Sequence, residues 1–219
     1  DIDKLNKYIK SIDIKDIAVI GGGFIGVEAA ENLREAGYNV ALIEGTDQIL
    51  RPFDYDMVQI FHKEIYDRGI NLIVEDKVEK FEKDTVVLAS GKKIEAKVVV
   101  MAIGVAPETT LAKEAALDIG ETGAIKVDQN YRTNDENIYA VGDAIEIYNA
   151  LTHTAAKLSL AGPALKQARS VADHINGKKG LNKGYIGSSA IKVFDYNGAS
   201  TGLNEALINV LNMKIKYDV

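Results

Sequence analysis

The chain alternates between short apolar runs and stretches with helical spacing. The run Ile17–Ile20 (IAVI) has the length and character of a buried parallel strand and leads directly into GGGFIG. Ile25, Ala29, Leu33 and Ala36 then recur on one helical face, which predicts a helix from the glycine run to about Ala36, stopped by Gly37. Asn39–Glu44 (NVALIE) reads as a second strand. A second amphipathic helix is predicted over about Tyr55–Arg68, with Met57, Ile60, Phe61 and Ile65 as its buried stripe and Gly69 as its stop. Ile70–Val74 (INLIV) reads as a third strand. This β-α-β-α-β order is the mononucleotide-binding half of a doubly wound sheet.

The period then shortens. KVEKFE, TVVL and KKIEA alternate over a few residues each, with turns at Lys83–Asp84 and Ser90–Gly91, and predict a small antiparallel meander. Val98–Gly104 (VVVMAIG) is apolar again and is expected to rejoin the parallel sheet. A different segment starts near Pro107: GAIKVD and NIYAVGDA are expected as strands, and Ala161–Asn176 as a helix stopped by Gly177. Lys178–Gly184 (KKGLNKG) is the best linker candidate, before a strand in AIKVFDY and a short helix near Asn204–Leu211. The expected fold class is α/β, a Rossmann-type doubly wound parallel sheet with a β-meander insertion.

Composition narrows the chemistry. The 219 residues carry a net charge of −6, which argues against general affinity for nucleic acid or an anionic membrane. No apolar run is long enough to span a bilayer and no signal peptide opens the chain, so the cytoplasm is the default expectation. The chain has no cysteine, which excludes disulfides, thiolate metal sites and a dithiol redox centre within it. His62, His153 and His174 show no metal-ligand spacing and read as surface or packing residues.

The glycine run has its whole context: strand, Gly21-x-Gly23-x-x-Gly26, helix, strand, acid. Gly21 allows the tight turn out of the strand, Gly23 allows close approach of a pyrophosphate, and Gly26 allows close helix–strand packing. The helix N-terminus offers free N–H groups to phosphates. A glycine-rich turn without a ligand is the plainer alternative. Glu44 ends the second strand, where a carboxylate accepts hydrogen bonds from the adenosine ribose and repels a 2′-phosphate. The expectation is NAD(H) in preference to NADP(H); the alternative for Glu44 is a solvated strand end. Arg51 weakens this expectation if its loop folds back. Glu28, early in the helix, has a plain role in the helix dipole.

The stretch GGGFIGVEAAENL resembles the pyridine-nucleotide–disulfide oxidoreductases, a flavoprotein family. TNDENIYAVGDA (Thr133–Ala144) resembles the family's returning FAD segment, LAGPALKQARSVADHING (Leu160–Gly177) its flavin-side helix, and Ser188–Leu207 the opening of its interface domain. Within the family the chain looks most like coenzyme A disulfide reductases, with NADH oxidases and peroxidases close by. The resemblance implies residues 1–110 as the NAD(H)-binding domain, 111–179 as the C-terminal part of the FAD-binding domain, and 180–219 as the start of an α+β interface domain. It assigns Asp143, with Gly142, to the flavin ribityl chain, and Leu160 and Ala161 to the helix end facing the flavin. Phe24, with Ile25 beside it, falls at the nicotinamide cover, Ile103 and Gly104 at the strand end beside the dinucleotide, and Glu28 near nicotinamide and flavin. Leu165 and Ala168 depart from the usual Asn and Gly of the flavin-side helix.

The family's first FAD segment and redox cysteine have no counterpart between residues 1 and 219, so the chain is expected to be an internal fragment of a longer, homodimeric enzyme that is inactive alone. The expected parent reaction passes hydride from NADH to FAD and electrons on to a disulfide such as coenzyme A disulfide. Reduction of oxygen or peroxide is an alternative, as is a stand-alone NAD(H)-binding module.

Overall fold

The computed structural model describes residues 2–12, 14–178 and 184–216. In chain order the elements begin with α1 (Ile2–Ser11), β1 (Asp16–Ile20), α2 (Phe24–Glu35), β2 (Asn39–Ile43), α3 (Tyr55–Asp67) and β3 (Asn71–Ile73). There follow β4 (Val78–Glu82), β5 (Thr85–Leu88), β6 (Lys93–Glu95), β7 (Val98–Met101) and α4 (Thr110–Glu114). The last are β8 (Ile147–Tyr148), β9 (Ala155–Ala156), α5 (Ala161–Ile175), β10 (Ser188–Val193), β11 (Tyr196–Thr201) and α6 (Glu205–Val210). They form two compact units: residues 1–104, 189–200 and 204–219 make the first, 105–188 and 201–203 the second. Residues 179–183 of the linker candidate lie outside the described residues.

The first unit is built on a parallel sheet of order β3-β2-β1-β7. Ala18 pairs with Ala41 on one side and Val99 on the other, so β7 does rejoin the sheet. Side chains alternate between its faces, as strand geometry requires. Val19, Val40, Leu42 and Leu72 enter the core that α2 and α3 cover, with Val27, Ala30, Val58 and Ile65. Ala18, Ile20, Ala41, Ile43 and Ile73 enter a second core closed by Val86, Leu88 and Ile94 of the β4-β5-β6 meander.

Two helix faces differ from the expected ones. In α2 the buried positions are Gly26, Val27 and Ala30, while Ile25 is 62% exposed. In α3 they are Val58, Phe61, His62 and Ile65, while Met57 and Ile60 stand out in solvent. Part of each expected face is kept, since Phe61 and Ile65 are in the core and Ala29 and Leu33 pack against it, but each helix carries more apolar residues than one stripe can hold and the buried face extends to Val27, Ala30 and Val58 instead of Ile25, Met57 and Ile60.

AIKVFDY is not a lone strand but the first half of a hairpin, β10–β11, which packs onto the first core through Ile191, Val193 and Phe194. At the hairpin turn Phe194 has a left-handed φ of 51°, and its N–H donates to Glu31 Oε1 at 2.9 Å. Arg68 lies over the Phe194 ring, 5.0 Å from its centroid, and pairs with Asp195. These contacts tie a segment more than a hundred residues away in sequence to α2 and α3.

The second unit has its own core of Ala112, Ile125, Tyr131, Ile145 and Ile147. GAIKVD and NIYAVGDA do not form strands. Ile125 bridges Ile119 on one side and Ile145 on the other, and Arg132 bridges Tyr139, each as a single isolated pair. Turns crowd both runs: Gly123 N–H bonds Gly120 O, and Tyr131 N–H bonds Asp128 O. No ladder has room to lengthen between them. The α5 helix matches its expected span, capped by Asn176 and followed by Gly177 at a φ of 76°.

A Cβ on Gly198 in β11 would lie 2.6 Å from the Phe61 ring and 2.9 Å from the Phe53 ring. These rings meet edge to face inside the core and have no flexible end to yield. Gly198→Ala is expected to destabilise the protein by about 1–3 kcal/mol through overpacking, seen as a lower urea midpoint; an unchanged midpoint would contradict this docking of the hairpin.

Candidate functional site

The carboxyl ends of β1, β2 and β7 open onto a cleft of about 660 Å³, the position at which open α/β sheets bind ligands. Its floor is the turn Gly21–Phe24. Gly21 has a φ of 106°, and a Cβ on it would sit 2.4 Å from Ala102 O. A Cβ on Gly26 would fall 1.8 Å from Gly21 O, so only glycine lets α2 start this close beneath the turn. Gly23 is the N-cap of α2, and nothing lies within 4 Å of where its Cβ would be. No side chain caps the helix. Its first-turn amides are therefore left for a ligand, and an anion is the group they suit.

Glu44 closes one side of the cleft. Its Oε2 accepts from Gly22 N–H at 2.7 Å, and its Oε1 accepts from Thr46 N–H at 2.8 Å and Thr46 Oγ1 at 2.9 Å. The carboxylate thus joins the glycine turn to the loop that follows β2, leaving one of its roughly four acceptor positions open. That loop folds back over the turn. Leu50, buried and at a left-handed φ of 49°, donates its N–H to Gly22 O at 2.7 Å. Gln48 Nε2 donates to Phe53 O at 2.9 Å, and Ile49 N–H donates to His62 Nε2 at 3.3 Å. As a result Arg51 and Pro52 form part of the cleft wall. The Arg51 guanidinium is solvent-exposed and has no hydrogen-bonding or ionic partner among the described residues.

Of the residues singled out in the sequence, Gly21, Gly23, Phe24, Glu44, Ile103 and Gly104 come together around this cleft. Gly26 lies beneath it, and Ile25 and Glu28 sit on exposed positions of α2 that do not line it. The second unit brings its own group together. Gly142–Ala144 form a 3₁₀ turn, with Asp143 exposed, and Gly142 N–H donates to Oε1 of the buried Gln167 in α5 at 2.5 Å. Leu160 is the N-cap of α5 and Ala161 its first residue, and no side chain caps that helix either. Leu165 is 60% exposed, so it makes no core contact that an Asn would alter. Gly22, Thr46 and Gln167 were not singled out. Gln167 carried a signal, as a polar residue on the inward face of a predicted helix; Thr46 carried none.

Among the described residues no group of His, Asp and Glu could hold a metal ion, and no helix is long and apolar enough to cross a membrane.

Residues 1–168 match the pyridine nucleotide-disulphide oxidoreductase family. The chain belongs to this family. It is 32% identical to an NADH oxidase of Enterococcus faecalis over 94% of its length and 48% of the relative's, and 30% identical to a coenzyme A disulfide reductase of Staphylococcus aureus over 93% and 47%. The chain thus spans about half the length of these oxidoreductases. Reduced CoADR-RHD from Bacillus anthracis superposes with a TM-score of 0.93 at 44% identity, covering 96% of this chain and 38% of that one. An engineered water-forming NADPH oxidase, made from the Lactobacillus brevis NADH oxidase and bound to NADPH, gives 0.87 at 28% identity over 95% and 46%.

His62 supports the loop that carries Arg51, and only a neutral imidazole nitrogen accepts from Ile49 N–H. Burial lowers its pKa below the ordinary value, against the opposing pull of Asp47. Unfolded chains therefore bind the proton more readily than folded ones. The contribution of this contact is complete above the ordinary histidine pKa and is lost as pH falls through the lowered one. The urea midpoint is expected to drop between pH 7.5 and 5, and His62→Asn to flatten part of that drop. Identical pH profiles for the two proteins would contradict this role.

Proposed function

We propose that the first unit is the dinucleotide-binding part of a flavoprotein oxidoreductase that takes hydride from NADH and delivers electrons to a disulfide such as coenzyme A disulfide. The observation that carries the reading is the uncapped α2 N-terminus over the Gly21–Gly26 turn, with Glu44 at the cleft's side. The α2 amides would hold the pyrophosphate, and the open acceptor position of Glu44 a ribose hydroxyl. Phe24, Ile103 and Gly104 would border the nicotinamide. Glu28, named only by family resemblance, keeps its proposed place near nicotinamide and flavin. When bound, the flavin supplies the hydride acceptance and onward electron transfer, and the protein positions and polarises.

The second unit supports a flavin-binding role through an uncapped α5 N-terminus and the Gly142–Ala144 turn that Gln167 holds. On this reading residues 1–110 bind NAD(H), 111–179 belong to the FAD-binding domain and 180–219 open an interface domain, in a homodimeric whole protein. Val210 of α6, at 76% exposure, is in keeping with a further surface against it. The relatives named NADH oxidase keep oxygen or peroxide open as the second acceptor.

The same reading includes a preference for NADH over NADPH, carried by Glu44 and narrowed by Arg51. The engineered NADPH oxidase replaces an aspartate 18 residues beyond a glycine, as Glu44 lies beyond Gly26, and gains an arginine seven residues beyond that aspartate, as Arg51 lies beyond Glu44. That variant gains a second arginine directly after the aspartate, where this chain has Gly45, so the chain keeps the acid and carries a cation at one of the two spacings.

Anaerobic titration of the flavin-loaded protein, with NADH and then with NADPH, tests the reading. NADH is expected to bleach the flavin at lower concentration than NADPH, and equal half-saturation would overturn the preference. An uptake of four electrons per flavin supports a second redox centre, as in a disulfide reductase or a cysteine-bearing oxidase; two would exclude coenzyme A disulfide. No bleaching by either nucleotide would overturn the whole reading.

A further inference from the structure

The loop that walls the cleft is also held from the C-terminal end of the chain. Asn204 precedes α6 with an extended backbone, and its Oδ1 accepts from Leu207 N–H at 2.9 Å, which is a helix cap. The other half of the same amide is not needed for capping. Its Nδ2 donates to Arg51 O at 2.7 Å and lies 3.4 Å from Phe53 O. The next residue adds a further tie, since Glu205 N–H donates to Asp54 Oδ1 at 2.8 Å.

The Leu50–Asp54 segment is therefore held by two sets of contacts, through the backbone of Leu50, Arg51 and Phe53 and through the Asp54 carboxylate. On the cleft side are Leu50 N–H to Gly22 O at 2.7 Å and Gln48 Nε2 to Phe53 O at 2.9 Å. On the far side are Asn204 and Glu205. Between the two grips lie Arg51 and Pro52, the cleft-lining residues of the loop. The Arg51 side chain has no partner of its own among the described residues, so its place depends on where its backbone is fixed.

We propose that Asn204 is a positioning residue for the dinucleotide cleft: its Nδ2 fixes the backbone of Arg51 and Phe53 and so sets the wall that the adenosine end of the dinucleotide meets. This rests on the reading of the cleft as a dinucleotide site. It gives a purpose to the Asn of the GLNEA run (Gly202–Ala206) that capping alone does not need, because Ser and Asp cap a helix as well as Asn does. It also makes the fit of nucleotide in the first unit sensitive to the seating of α6.

The test separates the two halves of the amide. Asn204→Ser and Asn204→Asp keep an acceptor for the cap and lose the Nδ2 donor, and Asn204→Asp also sets a carboxylate against two carbonyl oxygens. Asn204→Ala loses both functions. Flavin reduction by NADH is followed by stopped flow in the flavin-loaded full protein, with thermal melting measured beside it. For Asn204→Ser the half-saturating NADH concentration is expected to rise about threefold to tenfold, the scale of one lost hydrogen bond. Asn204→Asp is expected to show a larger rise. In Asn204→Ser the limiting rate stays near wild type and the melting temperature falls less than in Asn204→Ala, which loses the cap as well. Half-saturation unchanged in both variants would overturn the proposal. So would a joint fall of affinity, limiting rate and melting temperature to the values of Asn204→Ala, which is what a structural role alone produces. Failure of the wild-type protein to bind NADH would overturn the dinucleotide reading as well.

Discussion

The hydrogen bond between the Glu44 carboxylate and the Gly22 amide couples the two parts of the cleft. A glycine turn has no side chains with which to anchor itself, and its conformational freedom works against any fixed shape. Here the turn is anchored from outside. Glu44 takes the Gly22 N–H, Leu50 supplies a donor to the Gly22 carbonyl, and Ile49 packs where a Gly22 side chain would stand. Both backbone groups of one glycine are thus fixed by the strand end and loop that follow β2. The α2 helix then starts from a set position, and its unpaired amides open onto the cleft.

The loop's own anchoring extends this arrangement through the first unit. Leu50 holds a left-handed backbone and is fully buried, a strained conformation that survives only where the surroundings fix it. His62 from α3 and Asn204 before α6 each hold main-chain groups of the loop. Three segments far apart in sequence therefore meet at Gly45–Asp54. Charge placement follows from this geometry: Glu44 is tied into the scaffold, whereas the Arg51 guanidinium is free to meet a ligand.

The parts of this account that were legible in the sequence are those in which a backbone constraint dictates a residue type. Gly21 and Gly26 must be glycine, because a Cβ would collide with main-chain oxygens at 2.4 and 1.8 Å. The strand–turn–helix–strand order around them could be read from period alone, as could the span of α5. Helix faces were less legible. Ile25, Met57 and Ile60 are apolar yet exposed, and spacing does not say which of two adjacent apolar stripes meets the sheet. GAIKVD and NIYAVGDA look like strands because they are apolar and β-branched, but strand formation depends on partners, and each run finds only single bridges. Asn204 was visible as the start of a short helix. Its grip on Arg51, 153 residues away, was not, because it depends on a hairpin docking between them.

If Glu44 shapes the cleft for a dinucleotide, its carboxylate must matter to binding and not to the scaffold alone. The most direct measurement is the NADH dissociation constant of wild type against Glu44→Gln, in protein whose circular dichroism matches wild type. A glutamine has one acceptor oxygen where the carboxylate has two, so it cannot hold both the Gly22 and Thr46 amides as Glu44 does. The Kd is expected to rise about tenfold or more, the scale of a lost charge-assisted hydrogen bond. A Kd equal to that of wild type would contradict it and leave Glu44 as a tie between the glycine turn and its loop with no part in binding.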